Sequence, residues 1–170
     1  MNEEIGVDGL LVNSGLFSAQ DRERYYWTNI PIGEIPEENE EVFNDVMQKE
    51  IDKRYFYKGK DFEILDMNKR VCAELKVNTT EMCRRIYNPK FKMATLTCVS
   101  GGYQEKKILD GDKPRKLTEI EYERLQGLPD NFTNVELNGK QLTYSKRCSL
   151  CGNGWNLPTV KHILSGLNNT

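Results

Sequence analysis

The stretch RKLTEIEYERLQGLPDNFT, residues 115–133, carries the clearest structural pattern in the chain. Thr118 and Glu121 have the spacing of a capping box. In that motif the threonine hydroxyl accepts the Glu121 N–H, and the glutamate carboxylate accepts the Thr118 N–H. A glycine just after a helix commonly adopts the left-handed conformation that ends it. We therefore predict a helix that starts after Thr118, runs to about Gln126 and ends at Gly127.

The residues after this stretch predict a turn followed by a final helix. Gly152, Asn153 and Gly154 form the predicted turn. Pro158 lies at the start of the helix, where proline is tolerated. The apolar residues beyond it have helical spacing and form one stripe. They are Val160, Ile163, Leu164 and Leu167.

Before the central stretch, the chain begins with two predicted strands. Gly9–Asn13 is a short apolar run that is typical of a buried strand, and residues 24–30 are rich in aromatic and β-branched types. The small residues within 14–22 predict a loop or a short helix between the two strands.

The middle of the chain predicts three helices and then a strand. Apolar residues at helical spacing favour helices over residues 40–56 and 67–75, and a shorter one over 81–87. Residues 93–99 favour a strand, and residues 100–102 favour a flexible turn. The pattern as a whole indicates a mixed α and β protein.

Charge is distributed unevenly along the 170 residues, although the net charge is only −2. Residues 1–50 carry 3 basic and 12 acidic side chains, whereas residues 51–116 carry 16 basic and 9 acidic ones. Such a basic block favours a polyanionic partner, because binding follows local charge rather than the whole-chain sum. On composition alone, a solvated helical surface explains the block equally well.

The sequence shows no targeting or membrane-spanning segment. No run of about 18 apolar residues occurs, and the acidic N-terminus lacks the apolar stretch of a secretory signal. The five cysteines have no framework spacing, which favours reduced thiols and a cytoplasmic location. Cys148 and Cys151 have the spacing of half a zinc site, but no second pair accompanies them, so we expect no metal site.

Three stretches resemble conserved blocks of the cytosine-5 DNA methyltransferases, and the phage-type and vertebrate de novo members are the most similar in character. The first is NSGLFSAQDRERYYW at 13–27, the second is the stretch at 115–133, and the third is GNGWNLPTVKHIL at 152–164. The resemblance covers residues 9–33 and 93–165. Residues 34–92 match no block.

The resemblance implies an α/β fold that is part of an S-adenosylmethionine-dependent methyltransferase. Residues 1–33 would supply the last strands of the methyltransferase sheet. Residues 34–116 would form a target-recognition, DNA-binding region. Residues 117–170 would supply a supporting helix and the final helix that returns to the core.

The same resemblance assigns roles to a few side chains. Arg22 and Arg24 would hold the target cytosine after it is flipped out of the double helix. Asn153, Gly154 and Trp155 would form one edge of the S-adenosylmethionine site. From the residues alone, pairing of the two arginines with nearby acidic groups is the favoured interpretation, and Trp155 could simply pack in the core.

The region between the first and second blocks would contact double-stranded DNA. Hydroxyl groups and glycine backbone approach base edges closely, and lysines contact phosphates. The predicted DNA-binding residues are Gln20 of the first block together with Lys90, Lys92, Thr95, Thr97, Ser100, Gly101, Gly102, Tyr103, Lys106 and Lys107 of this region.

Three features that the family chemistry needs are missing from the sequence. No cysteine follows a proline, no Glu-Asn-Val block occurs, and no Gly-rich turn follows a first strand. Residues 1–7 resemble the end of the helix that precedes the first block. We therefore expect the early part of the catalytic domain to lie on another chain.

The leading hypothesis is a small subunit of a split cytosine-5 DNA methyltransferase, which is inactive alone. A large subunit would supply the nucleophilic cysteine and complete the cofactor site, or self-association would cover the same surface. One alternative is an inactive regulator, related to restriction or modification, that binds DNA or a host methyltransferase. Another is a remnant without function.

Overall fold

The computed structural model describes Glu4 and residues 6–169, with side chains up to 167. The first unit is an antiparallel hairpin of β1 (Gly9–Asn13) and β2 (Glu23–Trp27), in which Leu11 lies opposite Tyr25. Both predicted strands are confirmed, although the second ends at Trp27 rather than at Ile30. The helix end predicted over residues 1–7 lies largely outside the described residues.

The prediction that β1 is buried is wrong for most of its side chains. Val12 is buried, whereas Leu10 and Leu11 are exposed. The two-strand hairpin has no third strand beside it among the described residues, so its outer edges are open. Leu11 and Tyr25, which lie opposite each other, are exposed.

A five-stranded sheet forms the middle of the molecule, in chain order from edge to edge. Neighbouring strands are antiparallel except β5 and β6, which are parallel. The strands are β3 (Phe62–Ile64), β4 (Val71–Leu75), β5 (Arg85–Tyr87), β6 (Lys107–Asp110) and β7 (Lys113–Lys116).

Most of the helix predicted over residues 40–56 is irregular. It contains only the single-turn helix α1 (Phe43–Val46) and a 3₁₀ turn at Lys53–Tyr55. A four-residue helix buries little surface beyond the fully buried Phe43. The chain that follows is held by hydrogen bonds instead, from Arg124 to the Val46 carbonyl and from the Gln48 N–H to Glu121.

The helix predicted over residues 67–75 is wrong, because this segment forms β4. Cys72, Ala73 and Leu75 are all buried. A strand covered on both faces has a continuous apolar run, and periodicity alone cannot tell such a run from helix.

The predictions for the next two segments are only partly confirmed. The predicted helix at 81–87 divides into α2 (Glu81–Arg84) and β5. Residues 93–99 form no strand, and Met93 makes only an isolated bridge with Gln20.

The capped helix is confirmed as α3 (Glu119–Leu125), with both capping-box bonds present and Gly127 at a φ of +70°. A small hairpin follows, formed by β8 (Glu136–Leu137) and β9 (Lys140–Gln141). The chain then forms α4 (Tyr144–Asn153) and α5 (Leu157–Ser165).

The turn predicted at 152–154 is wrong in its position. Gly152 and Asn153 are the last residues of α4, and Gly154 is its C-cap. Gly152 lies against the Thr97 backbone, where an added Cβ would come within 2.5 Å of the carbonyl carbon. A glycine is needed at this position for close packing rather than for a turn.

One apolar core joins the three segments that the sequence distinguishes. Residues 1–33, 34–116 and 117–170 all contribute buried side chains to it, so no gap separates them. The main cluster comprises Ala19, Phe43, Tyr87, Met93, Leu96, Val99, Ile108, Leu117, Tyr122, Leu125, Cys148 and Cys151.

The final helix is confirmed, but its apolar stripe is only partly covered. Ile163 is buried, whereas Leu164 and Leu167 are exposed. Within the described part of the chain, no helix has both the length and the apolar character to cross a membrane.

Candidate functional site

Arg22 lies at the start of the second strand and is buried. Its guanidinium donates to the Leu96 carbonyl at 3.2 Å, to the Gly152 carbonyl at 3.2 Å and to the Gly154 carbonyl at 3.1 Å. Burial lowers the pKa of Arg22, and the charge of Arg24 lowers it further. Arg22 thus ties the hairpin to the loop after Met93 and to the end of α4, and its bonds go to carbonyls rather than to acidic groups.

Arg24 differs from Arg22 although it lies only two residues further along the chain, on β2, which begins just after Arg22. It is exposed, and its Nη1 donates to the Glu23 carbonyl at 2.6 Å. Both arginines nevertheless line the same two cavities, as their alternation in the sequence predicts.

The larger of these two cavities, which we call the basic cleft, has a volume of about 610 Å³. It lies between the hairpin, the five-stranded sheet and the loop after Met93. Five basic and two acidic side chains line it, so it is positive. The charged lining residues are Asp21, Arg22, Glu23, Arg24, Arg70, Arg85 and Lys106; the others are Asn13, Met82, Tyr87, Ala94, Thr95 and Thr97.

A second cavity of about 390 Å³, which we call the side chamber, adjoins the basic cleft. The two share five lining residues. These are Met82, Arg85, Tyr87, Thr97 and Lys106. Ser100 also lines the side chamber, so the chamber brings the predicted recognition residues Thr97, Ser100 and Lys106 together.

The smaller cavity beside Arg22 and Arg24 has a volume of about 200 Å³, and we call it the aromatic pocket. Asn153, Trp155, Tyr25 and Tyr26 complete its lining. Trp155 is 72% exposed, so it does not pack in the core.

The aromatic pocket contains groups that suit one edge of a purine-containing cofactor. The exposed indole offers a stacking face. The Asn153 side-chain oxygen accepts from the Cys98 thiol at 2.9 Å. The cavity is small, so it fits an edge of such a group and not the whole.

Three of the predicted DNA-binding side chains have their polar ends committed within the protein. Gln20 is buried and bonded to the Leu125 carbonyl and the Leu96 N–H. Lys92 donates to the Ser18 and Glu41 carbonyls. Lys107 is buried and donates to the Tyr103 and Glu105 carbonyls. These bonds connect segments of the protein to one another.

The remaining predicted DNA-binding residues are more accessible. Thr95 lines the basic cleft and donates to the Asp21 carbonyl at 2.9 Å. Exposed positions are Lys90, Thr97, Ser100, Gly101 and Gly102, while Tyr103 is half-buried. Lys106 is nearly buried but lines both the basic cleft and the side chamber.

Sequence reasoning missed Arg70 and Arg85, which come from the segment without a matching block. Arg70 pairs with Asp21 at 2.6 Å, and Arg85 forms two bonds of 2.7 Å with Glu81. The only signal for them in the sequence is the basic excess of residues 51–116.

The cysteines of the half zinc motif are free thiols in the core. Burial raises the pKa of Cys151 to about 12 and raises that of Cys148 still further. No group of three or more potential metal ligands comes together within the described residues. The two thiols therefore act as small apolar core residues.

Comparison with known proteins gives one family and several similar structures. The family model for the C-5 cytosine-specific DNA methylases matches residues 15–169. Methyltransferase EhMeth of Entamoeba histolytica has 14% identity and a TM-score of 0.64, over 96% of this chain and 53% of that one.

Two further structures have the same fold. The Dnmt2 methyltransferase of S. pombe has 18% identity and a TM-score of 0.61, over 99% of this chain and 59% of that one. A DNMT2 variant of Spodoptera frugiperda has 13% identity and a TM-score of 0.57, over 95% and 57%. No curated protein sequence matches. The chain thus spans 53–59% of the length of these structures, and its mixed α/β fold corresponds to part of theirs.

Proposed function

The chain belongs to the C-5 cytosine-specific DNA methylase family, and from that premise we propose that it is the DNA-recognising, C-terminal part of a cytosine-5 DNA methyltransferase. The observation that carries the proposal is that Arg22 and Arg24 line both the basic cleft and the aromatic pocket. Methyl transfer requires the target base and the methyl donor to meet. In this proposal each cavity would hold one of them, and the two arginines line both.

The basic cleft is proposed to hold double-stranded DNA with the target cytosine turned out of the stack. An enzyme that modifies C5 must extrude the base, because the carbon is inaccessible inside the duplex. Arg24 is exposed at this cleft and carries planar donors that suit a phosphate or a base carbonyl. Arg22 fixes the surrounding loops through its carbonyl contacts.

The aromatic pocket is proposed to form one edge of the S-adenosylmethionine site, which supplies the methyl group. Trp155 would stack on the cofactor, and the Asn153 amide would contact its polar edge. Gly154 lies between them and has its carbonyl held by Arg22. The rest of the cofactor site would come from a partner chain.

The nucleophile is also proposed to come from that partner. The chemistry needs a cysteine thiolate, and none of the five cysteines follows a proline. Cys72, Cys148 and Cys151 are buried, and burial raises the pKa of each thiol. The exposed apolar face of the hairpin gives the partner a surface to cover.

The proposal is tested by methyl transfer from labelled S-adenosylmethionine to duplex DNA. We expect no transfer by the chain alone, and transfer after addition of a chain that carries the Pro-Cys and Glu-Asn-Val blocks. Arg24→Ala should lower the restored rate about 10- to 100-fold, because one charge-assisted hydrogen bond is worth roughly 1.5–3 kcal/mol. Lys113→Gln, an exposed charge that lines none of the three cavities, is the control.

Two outcomes would contradict the proposal. Transfer by the chain alone would show that it needs no outside nucleophile. Unaltered restored activity in Arg24→Ala would remove that side chain from the reaction. DNA binding without any restored transfer would favour the inactive regulator instead.

A further inference from the structure

Lys106 is a nearly buried cation without an anionic partner. It is 8% exposed, and its backbone N–H donates to the Tyr122 hydroxyl at 2.9 Å. Its ammonium lies 5.7 Å from the centre of the Tyr87 ring. Among the described residues, no carboxylate or hydrogen-bond acceptor contacts that ammonium.

The neighbouring lysine shows what a satisfied buried ammonium looks like in this fold. Lys107 is fully buried, and its Nζ donates to two carbonyls of the preceding loop. A buried charge is costly unless it is paired and hydrogen-bonded. Lys107 meets that requirement within the protein, whereas the Lys106 ammonium has no such bonds with the described residues and reaches the two cavities, where solvent or a ligand must satisfy it.

The surroundings of Lys106 make the unpaired charge more costly still. Burial lowers the pKa of Lys106, and the nearby charges of Arg85 and Arg70 lower it further, while the Cys83 thiol acts in the opposite direction. Both arginines have acidic partners, Glu81 and Asp21. Lys106 alone among these three cations has none, and it lies where the basic cleft joins the side chamber.

We propose that Lys106 binds one phosphate group of a nucleic-acid strand, at the junction of the basic cleft and the side chamber. Arg85 flanks that phosphate. This inference rests on the proposed function and deepens it, because it names the residue that anchors the strand and the path that the strand takes.

The shape of the junction favours a phosphodiester over a small anion. A phosphodiester carries a nucleoside on each side, and Lys106 lines both of the adjoining cavities. Met82 and Thr97 line both cavities beside it, and they offer an apolar surface and a hydroxyl to the neighbouring sugars or bases.

The effect of replacing Lys106 on thermal stability distinguishes a ligand-binding role from a purely structural one. If the ammonium is held for a ligand, replacing it with an apolar side chain of similar length removes an unpaired buried charge. Lys106→Met should then leave Tm unchanged or raise it. If contact with the Tyr87 ring is the purpose of the lysine, Tm should fall.

The first experiment measures binding of a fluorescein-labelled DNA duplex by polarisation at several salt concentrations. Lys106→Met should weaken binding about 5-fold at 0.15 M salt and reduce the slope of log K against log salt by about one, as expected for one phosphate contact. Lys113→Met is the matched control, because it removes an exposed lysine outside both cavities. Equal affinity and slope in wild type and Lys106→Met would overturn the proposal.

The second experiment uses the unaltered chain and separates this inference from the proposed function. Inorganic phosphate and the duplex are titrated separately into isotope-labelled protein, and the NMR signals of Lys106 and Arg85 are followed. Shifts with both ligands support a nucleic-acid phosphate site. Shifts with phosphate but no binding of the duplex leave an anion site and refute its nucleic-acid occupant. No shift at Lys106 with either ligand overturns the proposal even if DNA binds elsewhere.

Discussion

Helix α3 and the β1–β2 hairpin differ most in how far their side chains find partners within the chain. Around α3, the polar groups that enter the interior find partners within the chain. On the hairpin, apolar side chains that belong in an interior face solvent. The difference indicates which part of the molecule is finished by its own sequence and which part needs something else.

The interior beside α3 is held by two buried ion pairs. Arg115 donates to both carboxylate oxygens of Glu121, at 2.8 and 2.7 Å, and to Asp110 at 2.6 Å. Glu123 is fully buried and accepts from Arg147 at 2.8 Å and from the Thr133 N–H at 2.8 Å. The described contacts leave none of these charges alone.

The hairpin presents the opposite arrangement. Leu11 is 49% exposed and Tyr25 is 57% exposed, and they lie opposite each other in the register. The ring of Tyr25 stacks on that of Trp27 with their centres 5.7 Å apart. An exposed apolar strand pair with open edges is a surface for association.

The largest expected effect comes from breaking the interior of the complete region. Arg115→Ala should lower the free energy of unfolding by about 3–5 kcal/mol, because it leaves the buried carboxylate of Glu121 unpaired. Burial lowers the pKa of Arg115, but its hydrogen bonds to the Glu121 and Asp110 carboxylates outweigh that effect, so the pKa is raised overall. Denaturant unfolding followed by circular dichroism measures the loss.

A surface ion pair supplies the control for this variant. Lys76 and Glu63 pair at 3.3 Å with both side chains more than half exposed. Lys76→Ala should cost no more than about 1 kcal/mol. Similar losses in the two variants would show that burial of the Arg115 pair contributes nothing special.

The next effect concerns Gly127, which follows the end of α3 and packs against the final helix. Gly127 has a φ of +70°, and an added Cβ would lie 2.3 Å from the Pro158 ring. Gly127→Ala should cost about 2–4 kcal/mol, since left-handed strain of about 1–2 kcal/mol adds to a steric clash. Thermal and denaturant unfolding provide the measurement.

Gly139 separates the two contributions. It has a φ of +73° with open space around it, so Gly139→Ala carries the backbone strain alone. We expect a loss of about 1–2 kcal/mol for that variant. If both alanines cost the same, close packing of α5 against the end of α3 does not stabilise the fold.

The complete region is also the one that sequence could predict. The capping box and the glycine stop act within a few residues of each other, so their chemistry is visible in the chain itself. By contrast, β4 has apolar residues at positions that also fit a helix. Its strand form is set by two faces of distant neighbours, which no local pattern contains.

Local sequence patterns also predict only part of the candidate site. The alternation of Arg22 and Arg24 at the start of β2 correctly predicts that both side chains line the same cavities. It cannot predict that Arg22 is held by the Leu96, Gly152 and Gly154 carbonyls, which lie 74, 130 and 132 residues away. Arg70 and Arg85 were missed for a similar reason, because only the tertiary fold brings them beside the hairpin.

The smallest expected change in stability comes from the hairpin, and it carries the sharpest test of the comparison. Tyr25→Thr keeps a residue that favours strands and removes an exposed ring. It should cost less than about 1 kcal/mol, the range of one cross-strand pair. If Tyr25 contributes as much to the stability of the fold as Arg115, the loss in free energy of unfolding will be several times larger.

Association should respond in the opposite way. If a partner chain or a second copy covers the hairpin, Tyr25→Thr should weaken that association at least about 10-fold, because exposed aromatic side chains dominate such interfaces. Phe132→Thr is the control, since Phe132 is 60% exposed but lies in the loop after α3. Sedimentation of the chain, alone and with the partner, measures both. Equal association of the two variants would mean that the exposed rings of the hairpin do not contribute to the interface. The surface that a partner covers would then lie elsewhere on the molecule.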